Sequence, residues 1–336
     1  MTEQPLAPEQ LRFLAAAAGA APSLHNSQPW SFRPTPDALG MRVYADLDRA
    51  VPITDPDGRA LHISVGAALF NLRVAGLRLG RDPEVRLLPD EAEPRLVATV
   101  RLARPSPAPL PFGRELFEAI GQRHSSRQPF ANRDVPEVVL GELIAAALDE
   151  GAVLSPLEEA GVRRVLALTH DAERRTGTDL ARMAETRTWL RLEKPAADGI
   201  PAAALGPQDH DAHVPMRSFT GRTPSTTASQ RFEALPQLAT LTTHGDRPAD
   251  WLRAGQAMER VWLLATAHGV RISVLHQAVE WPDTRWGLRD PGEGPGHVQL
   301  VLRLGYGPPG AATPRRPVDE ILDLTGHADA TGHGES

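Results

Sequence analysis

Two stretches of this chain, nearly two hundred residues apart, run in parallel. Residues 61–80 (LHISVGAALFNLRVAGLRLG) and 249–269 (ADWLRAGQAMERVWLLATAHG) both show the periodicity of apolar-faced helices, and placing Gly66 on Gly255 also places Gly80 on Gly269 and Val85 on Val274. Each is followed, after a loop, by a strand-like run, one ending Val-Arg-Leu at 100–102 and the other Leu-Arg-Leu at 302–304. Pro8-Glu9 opens an Ala-rich helix in the first half, and Pro136-Glu137 opens another in the second. The repeat is of domain size and not a solenoid period. Since a two-fold interface is the commonest way for like domains to associate, the halves are expected to pack as a dimer within one chain.

The remaining periodicity fits that frame. Helices are expected at 8–19, 58–80, 136–150, 158–189 (interrupted by a strand near 163–169) and 249–269. Strands are expected at 41–45, 84–88, 96–102, 270–275 and 298–304. Such alternation points to an α+β fold, duplicated, with halves at 1–110 and 111–330. A Pro/Gly/Thr-rich stretch at 195–250 with few apolar residues reads as a long insertion in the second half, and loops of that length in a compact domain are usually functional or disordered.

Composition removes several functional classes. With 336 residues, 41% apolar, the chain can bury one large core or two ordinary ones. A net charge of -6, with arginine plentiful and lysine scarce, leaves no broad basic surface for nucleic acid. Cysteine is absent, which excludes disulfides, thiolate metal sites and sulfur-linked cofactors, so redox chemistry would need a bound carrier. The N-terminal region lacks a basic leader, and its apolar run at 13–21 is too short to span a membrane. A cytoplasmic protein without membrane partners is expected.

Two short motifs carry the chemistry. In Arg-His-Ser-Ser-Arg at 123–127, Arg123, Ser125 and Arg127 alternate, which puts three phosphate-seeking side chains on one side of an extended segment. In Ala-Pro-Ser-Leu-His-Asn-Ser-Gln-Pro-Trp at 21–30, small hydrogen-bonding groups sit in a Pro-punctuated turn suited to the edge of a planar ring. Together they resemble the nitroreductase family of FMN-dependent oxidoreductases, in which an Arg-x-Ser-x-(Arg/Lys) segment holds the FMN phosphate and a Pro-Ser-x-x-Asn-x-Gln-Pro-Trp segment flanks the ring. Their order is inverted here. The ring segment stands in the first half and is replaced by Gly-Ala-Val-Leu-Ser-Pro-Leu at 151–157 in the second, whereas the phosphate segment occurs only in the second. One flavin site per chain follows, and this half-degenerate tandem resembles the Acg-type subfamily.

The resemblance implies FMN as cofactor, NAD(P)H and a small electron-poor acceptor such as a nitroaromatic or quinone as partners, and a monomer that is its own pseudo-dimer. It assigns Arg123, Ser125, Arg127 and one of Arg315 and Arg316 to the phosphate, and Pro22, Ser23 and Asn26 to the ring or ribityl chain, with Gln28 and Trp30 bracing from behind. Ser273 and Leu275, in the run 272–277, occupy the place where related enzymes pass backbone across the flavin, although the family's Pro-x-Glu-Gly is missing. In Acg-type proteins an insertion like 195–250 resembles a lid over the flavin, which raises a second function, flavin sequestration with little turnover. The His210 and His213 cluster reads as solvated loop histidines, so no metal site is assigned, and no protein acid or base is needed for hydride transfer.

Overall fold

The computed structural model describes residues 4–106, 113–193, 196–219, 229–290, 292 and 296–325. Its centre is a helix pair, α2 (Arg59–Arg78) and α7 (Pro248–Ala267), made of the two stretches that run in parallel in the sequence. Their backbones meet at glycine on both sides: a Cβ on Gly66 would lie 2.3 Å from the Leu252 carbonyl oxygen, and one on Gly255 would lie 2.0 Å from that of Ile63. Only residues without a side chain allow such an approach. By length and composition α2 could cross a membrane, but 83% of its apolar window is buried inside the protein, so its apolarity serves the core.

Each central helix belongs to its own four-stranded antiparallel sheet. After α1 (Pro8–Gly19) the first half contributes β1 (Trp30–Pro34), β2 (Gly40–Ala45), β3 (Arg81–Leu87) and β4 (Leu96–Pro105), in the order β1-β2-β4-β3. After α3 (Gly113–Ile120) and α4 (Glu137–Asp149) the second contributes β5 (Val153–Pro156), β10 (Gln237–Thr243), β11 (Arg271–Val274) and β12 (His297–Gly305), in the order β5-β10-β12-β11. Both sheets therefore run first, second, fourth, third. Both carry a bulge at the same place, between Val43 and Tyr44 in β2 and between Leu241 and Thr242 in β10. Gly80 and Gly269 close their helices with φ of +72° and +73°.

Several expectations need correcting. Residues 163–169 are not a strand; they lie inside α5 (Glu159–Thr176), where Val162, Val165, Leu166 and Thr169 are buried at helical spacing, and α6 (Leu180–Thr188) is a separate helix capped by the Asp179 carboxylate. Residues 237–243, placed within the insertion, are β10, a central strand. Leu238 to Leu241 are all buried, so the strand shows no polar alternation and its threonines disguise it. What precedes it is mostly irregular, with the short parallel pairs β6 (Leu190–Arg191) with β7 (Ile200–Pro201) and β8 (Gln208–Asp209) with β9 (Ser229–Gln230). Parts of the expected lid, 195 and 220–228, lie outside the described residues, as does the expected boundary at 110. Between β11 and β12 comes α8 (Pro282–Gly287). The C-terminal α9 (Val318–Ile321) crosses back to the first half, where Leu322 bridges Phe32 of β1 and Ile321 faces Gly19.

Candidate functional site

The turn at 22–30 is built against its own backbone preferences. His25, Asn26 and Gln28 have φ of 54°, 54° and 53°, in the left-handed region that Asn tolerates and that costs on the order of 1 to 3 kcal/mol at the other two. Hydrogen bonds hold them there. The Ser23 hydroxyl accepts from the Gln28 amide at 2.9 Å, and the Asn26 side chain donates to the Gly199 and Pro314 carbonyls at 2.9 and 3.0 Å while accepting from Arg315 at 3.0 Å. Gln28 donates to the Ala197 carbonyl at 2.9 Å and accepts from the Arg316 amide at 2.8 Å. Asn26 thus joins three segments of the chain, and its amide is fully engaged with protein.

The segment at 123–127 follows α3 and is anchored to β11 by the Ser126 amide, which donates to the Ile272 carbonyl at 3.0 Å. Ser126 turns inward, so its neighbours on either side face the opposite way. Arg123 is 3% exposed; its guanidinium lies 4.9 Å from the Trp262 ring centroid, donates to the Ala20 carbonyl at 3.1 Å, and has Nε 3.2 Å from a Glu259 carboxylate oxygen. Arg127 stacks 4.9 Å from the Phe219 ring centroid and donates to the Ala204 carbonyl.

Between these segments lie two adjoining cavities. The wider is walled by Ile63, Met258, Trp262 and Leu300, with Ser23, Ser64, Ser273 and Leu275 also on its lining. The narrower is basic, lined by Arg123, Arg127 and Arg315 together with Ser125, Asn26 and His124. Pro22, Ser23, His25, Ser125, Arg127 and Ile200 line both and mark the junction. Burial, then the charge of Arg217, lowers Arg127 to about 10; burial, then the charge of Arg123, lowers Arg315 to about 9, so both remain cations at neutral pH.

Of the residues expected at the site, Arg123, Ser125, Arg127, Pro22, Ser23, Asn26, Arg315, Ser273 and Leu275 all line one cavity or both. Asn26 lines only the basic one, not the apolar one where a ring would fit. Arg316 lines neither. It braces the turn from behind, reaching the Gln28 and Trp30 carbonyls at 3.3 and 3.4 Å and facing Asp46 at 3.6 Å, because consecutive residues of an extended tail point to opposite sides. His210 contacts Asp211 at 2.8 Å on an exposed turn, and among the described residues no group of three side chains could hold a metal.

Other lining residues had no signal in the sequence. His25 occupies an x position of its motif, yet it is 6% exposed at the junction with both ring nitrogens unpartnered, and burial followed by the charges of Arg217 and Arg127 pushes it down to about 3. It is therefore a neutral imidazole with a spare donor and acceptor. From the insertion, Ile200, Met216, Arg217 and Phe219 wall the apolar cavity, and Arg217 is tied to Glu280 at 2.7 Å. Glu259 is fully buried behind Arg123 on α7, between Met258 and Arg260, where a period-based reading registers only a helix.

No protein-family model matches the chain. A protein of Mycobacterium tuberculosis strain H37Rv named "Putative NAD(P)H nitroreductase Rv3131" is 31% identical over 325 residues, covering 94% of this chain and 91% of that one. The similarly named acg protein of the same strain is 27% identical over 314 residues, 90% of this chain and 92% of its own length. Among solved structures, a BluB-like flavoprotein from Clostridium difficile 630 aligns with 62% of this chain and 98% of its own at 14% identity and a TM-score of 0.41.

Proposed function

The chain belongs to the nitroreductase family, in its Acg-like branch, and from that premise we propose that it is an FMN-dependent NAD(P)H oxidoreductase holding one flavin between two duplicated halves. The observation that carries the reading is the shape and charge of the adjoining cavities, basic at one end and apolar at the other, with one motif from each half at their junction. Three guanidinium groups, that of Arg123 buried and those of Arg127 and Arg315 on half-buried residues, suit a dianionic phosphate monoester, and Trp262, Ile63, Met258 and Leu300 suit a flat ring system. The matched strand order of the two sheets and the glycine contact between α2 and α7 support the duplication. A cytoplasmic monomer remains part of the proposal.

When bound, FMN supplies the two-electron carrier, passing hydride from a donor to a nitroaromatic or quinone. The protein's own residues do the rest. Arg123, Arg127 and Arg315 with Ser125 hold the phosphate. Pro22 and Ser23 shape the junction, where His25 offers uncharged hydrogen-bonding groups to the ring edge, and Ser273 and Leu275 form the opposite wall. The cations of Arg127 and Arg217 favour electron density arriving in the apolar cavity.

The walls contributed by Ile200, Met216, Arg217 and Phe219 favour a second reading, a flavin-sequestering protein whose insertion restricts large donors. The two readings separate by stopped-flow reduction of the flavin-loaded chain. Turnover predicts rapid bleaching by NADPH. Sequestration predicts slow bleaching by NADPH but ready reduction by dithionite, and a chain shortened between Gly206 and Leu235, short of β10, would then react faster with NADPH. A chain that binds no flavin would sink both.

A further inference from the structure

A fully buried carboxylate stands directly behind the basic cavity, where no packing reason explains it. Glu259 lies on the core face of α7 with 0% exposure, and Arg123, the cation it pairs with at 3.2 Å, is 3% exposed. A buried pair that exists for structure is normally closed by hydrogen bonds on every side. This one is loosely closed: both Glu259 oxygens and the Arg123 Nε lack a well-directed hydrogen bond, and Asn71, which acts on the carboxylate from α2 as a hydrogen-bond donor, meets it in poor geometry. Arg123 also lines the basic cavity. We infer that Glu259 is a positioning residue that keeps Arg123 oriented while the basic cavity is empty and takes up a proton when a phosphate monoester arrives to claim Arg123.

The inference rests on the FMN reading above. The groups acting on Glu259 are Arg123, Asn71 and Arg315, all of which favour the carboxylate, but burial outweighs them and pushes the carboxyl up to about 7. That is the range in which a phosphate monoester, with its second ionisation at about 6, is already a dianion. Bringing that dianion against Arg123 removes part of the positive charge that Glu259 relies on, so its proton affinity rises further. The sign follows from linkage. Below pH 7 Glu259 already carries its proton and phosphate binds without proton uptake. Above pH 7 each binding event must draw a proton from solution, so affinity falls by up to about tenfold per pH unit.

The test is titration of the flavin-free full-length chain with FMN and, separately, with riboflavin, which lacks the phosphate, at pH 6.5, 7.5 and 8.5, using wild type and Glu259→Gln. The expected results are an FMN Kd that rises about tenfold between pH 7.5 and 8.5 in wild type, a riboflavin Kd that does not move, and an FMN Kd in Glu259→Gln that stays flat. If Glu259→Gln does not fold, proton uptake by the wild type in weak buffer at pH 8 serves instead, with about one proton per FMN and none per riboflavin expected. An FMN Kd independent of pH in wild type, an equal pH dependence in the variant, or no proton uptake overturns the role of Glu259 and leaves the FMN reading standing. Absence of FMN binding at every pH overturns the FMN reading, and the inference with it.

Discussion

The two motifs that meet at the site work by opposite means. The turn at 22–30 is strained and uncharged, and its polar groups are mostly spent on the protein itself: Asn26 on Gly199, Pro314 and Arg315, Gln28 on Ala197 and Arg316, Ser23 on Gln28. The segment at 123–127 is unstrained in φ but crowded with buried charge, and its arginines lean on rings and single carbonyls while facing a cavity. On the proposed reading, the first segment would shape the site and the second would bind by charge. Disturbing the first should therefore weaken any flavin equally, and disturbing the second should discriminate between flavins with and without a phosphate.

The largest effect is expected from Arg123→Ala combined with Arg127→Ala. Each lost charge-assisted hydrogen bond costs about 1.5 to 3 kcal/mol, so FMN affinity should drop more than roughly a hundredfold while riboflavin binding changes little. Removing Arg123 alone leaves Glu259 without its cation, and the carboxylate answers by binding a proton. Equal losses for FMN and riboflavin would erase the contrast between the segments. Asn26→Ala comes next: three hydrogen bonds are lost, the one to the Gly199 carbonyl buried and those to Pro314 and Arg315 half-buried, for about 2 to 3 kcal/mol of stability by thermal melting of the flavin-free chain, with FMN and riboflavin weakened in parallel. An FMN-selective loss would instead make Asn26 a phosphate contact.

His25 gives a smaller, pH-dependent effect. Its folded value of about 3 lies below the ordinary 6.5, so the unfolded chain binds the proton first and this contribution to stability, present above pH 6.5, is lost as pH falls toward 3. Between pH 6.5 and 5 that amounts to roughly 2 kcal/mol. His25→Asn, which tolerates the left-handed backbone, should flatten this part of the melting curve; an unchanged acid dependence would show that the imidazole is not held neutral. The smallest effects are expected outside the cavities. Arg316→Ala should lower stability without changing the ratio of FMN to riboflavin affinity, and His210→Ala should change neither.

The parts of the fold legible in the sequence are those where periodicity and glycine placement act together. Gly66 and Gly255, aligned by pattern alone, are the pair whose backbones touch. What was hidden has physical reasons. β10 is buried on both faces and so lacks the alternation that marks a half-buried strand, and α5 carries β-branched residues at positions that also satisfy a helical face. At the site, the motifs pointed to the arginines that line the basic cavity and to the turn beside it. They could not separate Arg315 from Arg316, because the direction of an extended tail depends on what it packs against. His25, Arg217 and Glu259 acquire meaning only through burial and the company of charges from distant segments.

The central claim, that each half supplies what the other lacks, is tested most directly by counting flavins. The full-length chain, purified and denatured, should release about one FMN per polypeptide by absorbance and mass spectrometry. Release of two flavins per chain would contradict the division of the site between the halves, and release of FAD would contradict the assignment of the basic cavity to a terminal phosphate.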